Sequence, residues 1–190
     1  MNENIKTFFD SIAISYKHDD SKLIDDLLSS LYIKKCEKVL DLGCGKGIIS
    51  EKLVNLTKGE VIALDLSSEM IKYAKENVKN DKVTFINGDF YELEGEKFDA
   101  IICFDAFPHF IDVDGFVKKA YELLNEDGEL AILHDIPRSA LNEHHKQHAL
   151  KVSRKLNDPL TENEAFKKYF KPIELTETDT YYKMIYIKRD

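Results

Sequence analysis

The sequence has few cysteines, and their spacing excludes two kinds of site. Only three occur in 190 residues, Cys36, Cys44 and Cys103, and no two of them form a CxxC pair. A disulfide framework or a zinc site built on cysteine needs paired or clustered thiols. Sparse cysteines are typical of a reducing compartment, so we expect a cytoplasmic protein without such sites.

The sequence also lacks any long apolar run. No segment approaches the ~18 residues that a membrane-spanning helix requires. The first residues, MNENIKTFFDSIAISY, contain an early acid and no continuous apolar stretch of the kind found in signal peptides. We therefore expect neither a signal peptide nor a membrane partner.

The sequence has fewer basic than acidic residues. The chain carries 27 lysines and arginines against 35 acids, which gives a net charge of −8. A negative surface repels phosphate backbones, so nucleic acid is not an expected partner. With 43% hydrophobic residues, the chain can bury the core of a single domain spanning residues 1–190, which we expect to be a monomer or a homodimer.

What the sequence does contain is a regular alternation of short apolar runs and amphipathic stretches. This alternation predicts helices between strands, and therefore a doubly wound, parallel α/β sheet with helices on both faces. Asn125, Asp127 and Gly128 predict a turn ahead of the fifth strand. The five predicted strands cover residues 38–43, 60–66, 83–88, 98–104 and 128–134.

The C-terminal part departs from the alternation. Its two apolar runs, 172–178 and 181–188, are too close in sequence for a crossover helix, so we expect them to pair as an antiparallel hairpin. The prediction is a Rossmann-like sheet of seven strands, mostly parallel. Its parts are N-terminal cap helices in 1–35, a cofactor-binding core in 36–134, a helical lid in 135–170 and the closing hairpin in 171–190.

The run VLDLGCGKG, residues 39–47, follows a predicted strand with an acid and three closely spaced glycines. In doubly wound sheets, ligands bind at the carboxyl ends of the strands. The run does not contain the GxxxxGK[ST] pattern of a phosphate-binding loop. A GxGxxG dinucleotide fingerprint would need glycine at Ile48 or Ser50, so a dinucleotide is disfavoured as well.

The pattern DxGxGxG, formed by Asp41, Gly43, Gly45 and Gly47, resembles motif I of the class I S-adenosylmethionine-dependent methyltransferases. FFDSIAISY at 8–16 is similar to the opening of the branch that acts on small molecules. Other features that resemble the family follow in order: Asp65 at the close of the second strand, GDF at 88–90, FDAIICFDAFPHF at 98–110 and LLNEDGELAI at 123–132.

The resemblance implies a site for S-adenosyl-L-methionine. Asp65 would accept hydrogen bonds from the ribose hydroxyls, Asp89 would bind the adenine amino group, and Tyr16 would cover the mouth of the site. The glycines would let backbone N–H groups approach the methionine portion. The cofactor-binding residues implied in this way are Asp41, Gly43, Gly45, Gly47, Asp65, Leu66, Met70, Asp89, Phe90, Phe104 and Tyr16.

The acceptor side is less determined, and four of the six histidines lie in residues 134–148. One interpretation is a solvated polar helix. A second is acceptor recognition or general-base catalysis by His134, Arg138 and His144, which are the predicted catalytic residues. A third is a metal site of His134, His144 and His148, the last two at i, i+4 on a helix. We predict that no metal is required.

The function implied by the resemblance is methyl transfer to a small-molecule acceptor. His109 matches a position where this branch often has histidine, so it would either line the acceptor pocket or be a core residue. After the fourth strand the chain reads FDAFP at 104–108 and lacks the [ND]PP[YF] pattern typical of methylation at amino groups of bases or amides. The alternatives are a protein or RNA methyltransferase and a non-catalytic cofactor-binding module.

Overall fold

The computed structural model describes residues 2–17 and 21–189, which fold around one seven-stranded sheet. The strands are β1 (Lys38–Leu42), β2 (Glu60–Asp65), β3 (Val83–Asn87), β4 (Phe98–Phe104), β5 (Leu124–His134), β6 (Phe170–Glu177) and β7 (Tyr182–Lys188). The helices are α1 (Asn2–Ile12), α2 (Lys22–Ser29), α3 (Ile48–Leu56), α4 (Ser68–Asn77), α5 (Val113–Leu123), α6 (Arg138–His148) and α7 (Pro159–Phe166). Short 3-10 turns occupy Phe90–Glu92 and Phe107–His109.

The strands lie in the order β3-β2-β1-β4-β5-β7-β6. Strands β1 to β5 are parallel, and β7 runs antiparallel between β5 and β6. The predicted seven-stranded sheet with a closing hairpin is confirmed. The strand order reverses between β1 and β4, and ligands bind at such a reversal in doubly wound sheets.

The sheet is covered on both faces, as its apolar strands require. One layer joins α2 and α3 to side chains such as Val39 and Ile102. The opposite layer joins α5 and α7 to side chains such as Leu40 and Ile101. Neighbouring residues of one strand enter opposite layers because side chains alternate along a strand. Within the described residues, none of the helices has the length and apolar character needed to cross a bilayer.

The turn predicted at residues 125–128 is wrong, because these residues lie within β5. The strand begins at Leu124, which pairs with Phe98 before the register shifts to Ala100 and Glu129. Asp127 has a φ of +57° at this irregularity. Residues that favour turns also suit a bulge, because both require a local departure from extended backbone. Asn125, Asp127 and Gly128 therefore form an irregularity within β5, and not a turn ahead of it.

The helices of the predicted cap and lid segments pack in two different places. Helix α2 buries Ile24, Leu27 and Leu28 in the core, and Phe166 of α7 stacks on Tyr186 at 4.7 Å. Both helices therefore cover the sheet, because their apolar faces pack against its apolar side chains. In contrast, α1 buries little more than Ile5, which forms a small cluster with Ala149 and Val152.

Candidate functional site

A cavity of about 1050 Å³, partly open to solvent, lies at the carboxyl ends of β1 to β4. The glycine run, the strand ends and α1 form its wall. Nine of the predicted cofactor-binding residues line it: Tyr16, Gly43, Gly45, Asp65, Leu66, Met70, Asp89, Phe90 and Phe104.

Two glycines shape the wall of the cavity in different ways. Gly43 has a φ of +77°, and a Cβ atom there would stand 2.6 Å from the Cβ of Ala106, so the loop after β1 lies against the loop after β4. At Gly45 the nearest atom to such a Cβ would be Cε1 of Tyr16, 4.0 Å away. Gly45 therefore leaves room for a ligand, whereas Gly43 permits the close contact between loops.

The backbone N–H groups of the glycine run are mostly engaged within the protein. Gly43 and Cys44 donate to the carbonyl oxygen of Leu64 at 2.8 and 3.1 Å. Gly45 donates to Oδ2 of Asp65 at 2.9 Å. These three N–H groups therefore hold the loop against the end of β2. The approach of N–H groups of the glycine run to the methionine portion of a cofactor stays a prediction.

Asp65 is held in place by two backbone groups. Its Oδ2 accepts from Gly45, and its Oδ1 accepts from the N–H of Ser67 at 2.8 Å. Burial raises the pKa of Asp65 to about 6, although both hydrogen bonds act in the opposite direction. Above that pH it is a carboxylate on the cavity wall. A carboxylate offers about four lone-pair positions, so each oxygen can still accept from a ligand hydroxyl.

Asp89 is engaged by a residue of α1. Its Oδ1 accepts from the backbone N–H of Tyr91 at 3.0 Å, and its Oδ2 accepts from the side-chain amide of Asn2. An adenine amino group is the same kind of donor as this amide. A nucleoside that binds Asp89 must therefore share that oxygen with Asn2 or displace it.

A second contact fixes α1 over the cavity. Oδ1 of Asp10 accepts from the hydroxyl of Ser67 at 2.6 Å and from the N–H of Glu69 at 3.2 Å, both at the first turn of α4. Ile5 and Phe9 of the same helix line the cavity. Helix α1 therefore covers the cavity and is attached beside Asp65.

Asp41 has a supporting position. It is buried on β1, where it accepts from the hydroxyl of Ser50 on α3 at 2.6 Å. This bond ties the strand to the helix on either side of the glycine run. Neither Asp41 nor Gly47 lines the cavity. Both can affect the shape of the cavity only through the residues that do line it.

His109, in the 3-10 turn after β4, lines the part of the cavity away from Asp65 and Asp89. Its Nδ1 lies 2.9 Å from the carbonyl oxygen of Val152. A carbonyl only accepts, so Nδ1 carries the proton and Nε2 is a hydrogen-bond acceptor. Burial, aided by His134, lowers the pKa of His109 to about 4, which keeps the ring neutral near pH 7. The ring of Phe9 meets it edge-on at 4.8 Å.

The segment that accepts from His109 is itself braced. The backbone N–H of Arg154 donates to the carbonyl of Pro108 at 2.9 Å, and its guanidinium lies 4.5 Å from the ring of Phe107. That guanidinium makes two hydrogen bonds to Glu162, which is 4% exposed. The turn that carries His109 is thus held from the side of α7.

We expect the variant Gly43→Ala to be destabilised more than Gly95→Ala. Both glycines have a positive φ, +77° and +73°, but a Cβ at Gly95 meets nothing within 4 Å. Strain in φ is of order 1–2 kcal/mol at either position, and overpacking adds roughly 1–3 kcal/mol at Gly43. Chemical denaturation of both variants measures the difference; equal losses would show that the contact with Ala106 is unimportant.

Residues 33–186 match the family model described as a methyltransferase domain. The chain belongs to this family. The resemblance to class I S-adenosylmethionine-dependent methyltransferases that its motifs suggest is thereby confirmed.

Curated relatives of this methyltransferase-family chain carry diverse names. The malonyl-[acyl-carrier protein] O-methyltransferase of Priestia megaterium is 34% identical over 131 residues, which are 68% of this chain and 47% of that protein. The ubiquinone biosynthesis O-methyltransferase of Pelagibacter ubique is 32% identical over 98 residues, 50% of this chain and 40% of that protein. The chain spans about half the length, or less, of such relatives.

Solved structures extend the likeness over the whole fold. A complex between the Trm112 methyltransferase activator of Haloferax volcanii and a methyltransferase matches with a TM-score of 0.80 at 17% identity, covering 98% of both chains. The magnesium protoporphyrin IX methyltransferase of Synechocystis, with bound SAH, matches with a TM-score of 0.74 at 15% identity over 100% of both chains. These matches support the Rossmann-like methyltransferase fold.

The three predicted catalytic residues of this methyltransferase-family chain are not brought together at the cavity. His134 is fully buried, with Nδ1 3.1 Å from Oδ1 of Asp105. Arg138 makes two hydrogen bonds to Glu177, at 2.9 and 3.0 Å. His144 is exposed on α6, because that helix turns Leu141 and His145 inward instead. None of the three lines the cavity.

The metal interpretation finds no matching geometry. Among residues 2–17 and 21–189, no group of three or more histidine, cysteine or acidic side chains is placed to hold a metal ion. His144 and His148 share an exposed face, with ring centroids 4.9 Å apart. The buried histidine of α6 is His145, whose ring lies 5.0 Å from that of His109. Sequence periodicity does not show which histidine faces inward.

Proposed function

We propose that this chain binds S-adenosyl-L-methionine in the cavity and transfers its methyl group to a small-molecule acceptor. The observation that carries the proposal is the Asp65 carboxylate. Two backbone N–H groups orient it at the end of β2, beside the space left by Gly45. A fixed carboxylate suits a ribose diol, because two adjacent hydroxyls can donate to its two oxygens in charge-assisted hydrogen bonds.

The rest of this half of the cavity fits an adenosine. Asp89 provides an acceptor for an adenine amino group, and Leu66, Met70 and Phe90 provide apolar surface for the ring. Lys46 lies within the glycine run and lines the same cavity, where its charge can attract the carboxylate of the methionine portion. These roles for individual residues remain part of the proposal.

When bound, S-adenosyl-L-methionine supplies an electrophilic methyl group whose carbon–sulfur bond breaks as the bond to the acceptor atom forms, leaving the electron pair on sulfur. The residues of the chain mainly orient the acceptor and exclude water. His109 presents a neutral Nε2 that can accept a hydrogen bond from an acceptor O–H or N–H. We expect it to position the acceptor through this hydrogen bond, because a pKa of about 4 makes the His109 ring a weak base.

We expect His109→Phe to lower kcat/KM for the acceptor by up to ~10-fold, because one hydrogen bond is worth roughly 0.5–1.5 kcal/mol and about 1.4 kcal/mol is tenfold. Phenylalanine keeps the ring next to Phe9 but has no nitrogen. Affinity for S-adenosylhomocysteine, the demethylated product, should stay within about twofold by calorimetry. His148→Phe, on the exposed face of α6, is the matched control, and equal effects of both substitutions would remove His109 from the acceptor side.

The activity itself is tested with methyl-labelled S-adenosyl-L-methionine. The panel of acceptors should contain phenols, amines, thiols and carboxylates, with production of S-adenosylhomocysteine as the readout. Labelled product from one class supports an enzyme. Binding of S-adenosylhomocysteine with no turnover across the panel would favour the alternative of a non-catalytic binding module.

We also propose that residues 1–190 work as one domain in the cytoplasm, as a monomer or homodimer, without nucleic acid or membrane. The net charge of −8 supports the exclusion of nucleic acid.

A further inference from the structure

We infer that the acceptor is an uncharged aromatic molecule with an O–H or N–H group, and not a carboxylate. This inference rests on the proposed function and concerns the half of the cavity that the cofactor does not occupy. The curated relatives named above differ in their acceptors, so the comparisons do not determine this property.

The strand order divides the cavity into two halves. Asp65 ends β2 and Asp89 follows β3, both on one side of β1, whereas Asp105 and His109 follow β4 on the other side. A ligand held by the two acids after β2 and β3 therefore leaves the second half free for an acceptor. This acceptor half is lined by Phe9, Asp105, Ala106, His109 and Phe110.

Aromatic rings dominate the acceptor half, and they hold one another in place. Phe9 meets His109 edge-on at 4.8 Å and 90°. Phe110 meets Phe90 at 5.7 Å and 80°, and it meets Tyr91 at 6.3 Å and 61°. Rings in such arrangements present both edges and faces to a further ring, and each good aromatic pair adds roughly 0.5–1.5 kcal/mol beyond its buried area. The wall therefore suits a planar ring.

Positive charge is missing from the same half. Of the lysines and arginines in the described part of the chain, only Lys46 lines the cavity. Lys46 belongs to the glycine run on the cofactor side, where its Nζ donates to the carbonyl of Tyr16 at 2.7 Å. Arg138 and Arg154 are paired with Glu177 and Glu162, and neither lines the cavity.

A carboxylate acceptor would therefore lose water without gaining a positively charged side chain, which leaves the sulfonium of bound S-adenosyl-L-methionine as its cationic neighbour. Burying an unpaired charge is far more costly than burying an uncharged polar group that finds one hydrogen bond. Asp105 adds a carboxyl group to the acceptor half, which further disfavours an anion. His109 can serve an uncharged donor, because its Nε2 accepts while Nδ1 stays bound to Val152.

The test measures acceptor binding to protein saturated with S-adenosylhomocysteine, by calorimetry at pH 8. The probes are matched pairs built on one-ring and two-ring aromatics, such as 4-hydroxybenzyl alcohol against 4-hydroxybenzoate. We expect uncharged members to bind at least ~10-fold more tightly than their carboxylate partners, a difference of about 1.4 kcal/mol. The inference is overturned if no uncharged member binds more tightly than its partner.

A pair of variants adds a second readout. Phe9→Leu keeps an apolar side chain but removes the ring that meets His109 at 4.8 Å, and it should weaken binding of uncharged aromatics several-fold while leaving S-adenosylhomocysteine affinity within twofold. Tyr32→Leu, at a residue 72% exposed, is the control that should change neither. If S-adenosylhomocysteine fails to bind the unaltered protein, the proposed function fails. If it binds and the carboxylates bind equally well, only the inference about the acceptor fails.

Discussion

Replacing Asp65 with alanine should lower the affinity for S-adenosylhomocysteine at least ~100-fold at pH 8, where the Asp65 carboxyl is ionised. Hydrogen bonds to charged groups are worth roughly 1.5–3 kcal/mol each. Two such bonds to the ribose hydroxyls correspond to a loss of at least two orders of magnitude, since about 1.4 kcal/mol is tenfold. The N–H groups of Gly45 and Ser67 also lose the acceptor that orders the loop.

Two further variants separate recognition from folding. Asp65→Asn keeps the shape of the side chain, but its NH₂ group must face the N–H of Gly45 or Ser67, so it should also lose most of its affinity. Asp81→Ala, at an exposed acid before β3, is the matched control and should bind normally. Circular dichroism checks that all three variants fold. Unchanged affinity in Asp65→Ala would remove the ribose assignment.

Replacing Glu129 with glutamine should stabilise the protein at pH 8 by roughly 2 kcal/mol. Glu129 is 3% exposed on β5; its Oε2 accepts from the N–H of Tyr32 at 3.2 Å, while its buried Oε1 has no hydrogen-bond partner. Burial raises the pKa of Glu129 from 4.5 to about 7, despite the opposing hydrogen bond from Tyr32. A shift of this size corresponds to roughly 3 kcal/mol, and an unpaired glutamine amide cancels part of the gain.

The direction of the pH effect follows from proton linkage. The folded protein holds the Glu129 proton more tightly than the unfolded chain, so this group disfavours folding once it ionises. Its contribution to the free energy of unfolding is constant below about pH 4.5, falls as the pH rises to about 7, and stays low above that. Glu129→Gln should therefore gain stability at pH 8 and little at pH 4.5.

Thermal unfolding at both pH values measures this effect. A gain of 2 kcal/mol corresponds to roughly 4–8 °C for a domain of this size. Glu126→Gln, at an exposed position on the same strand, should leave the melting temperature and its pH dependence unchanged. An equal melting temperature of Glu129→Gln and the unaltered protein at pH 8 would contradict a buried ionised carboxylate at this position.

The fold was predictable because its determinants are local. Each parallel strand is a short apolar run, and the few residues between 172–178 and 181–188 left only an antiparallel pairing for the last two. Asp65 was also predictable, since its position at the end of β2 brings it to the edge of the sheet where the glycine run lies. In each case a feature within a few residues determines the structure.

The residues that complete the cavity could not be predicted in this way. Asn2 reaches Asp89 across 87 positions, and Asp10 reaches Ser67 across 57. No periodicity or short motif marks such contacts, because they depend on where α1 docks. The orientation of the histidines on α6 could not be predicted for a related reason. That helix has few apolar residues, so its sequence does not show that His145 is the one turned inward.

The central claim is that the cavity beside Asp65 is the site for S-adenosyl-L-methionine. A crystal structure of the protein with S-adenosylhomocysteine tests it most directly. The account predicts one adenosine in this cavity, with both ribose hydroxyls within hydrogen-bonding distance of Asp65 and the adenine next to Asp89 and Phe90. A nucleoside bound elsewhere, or in the cavity without contact to Asp65, would contradict it.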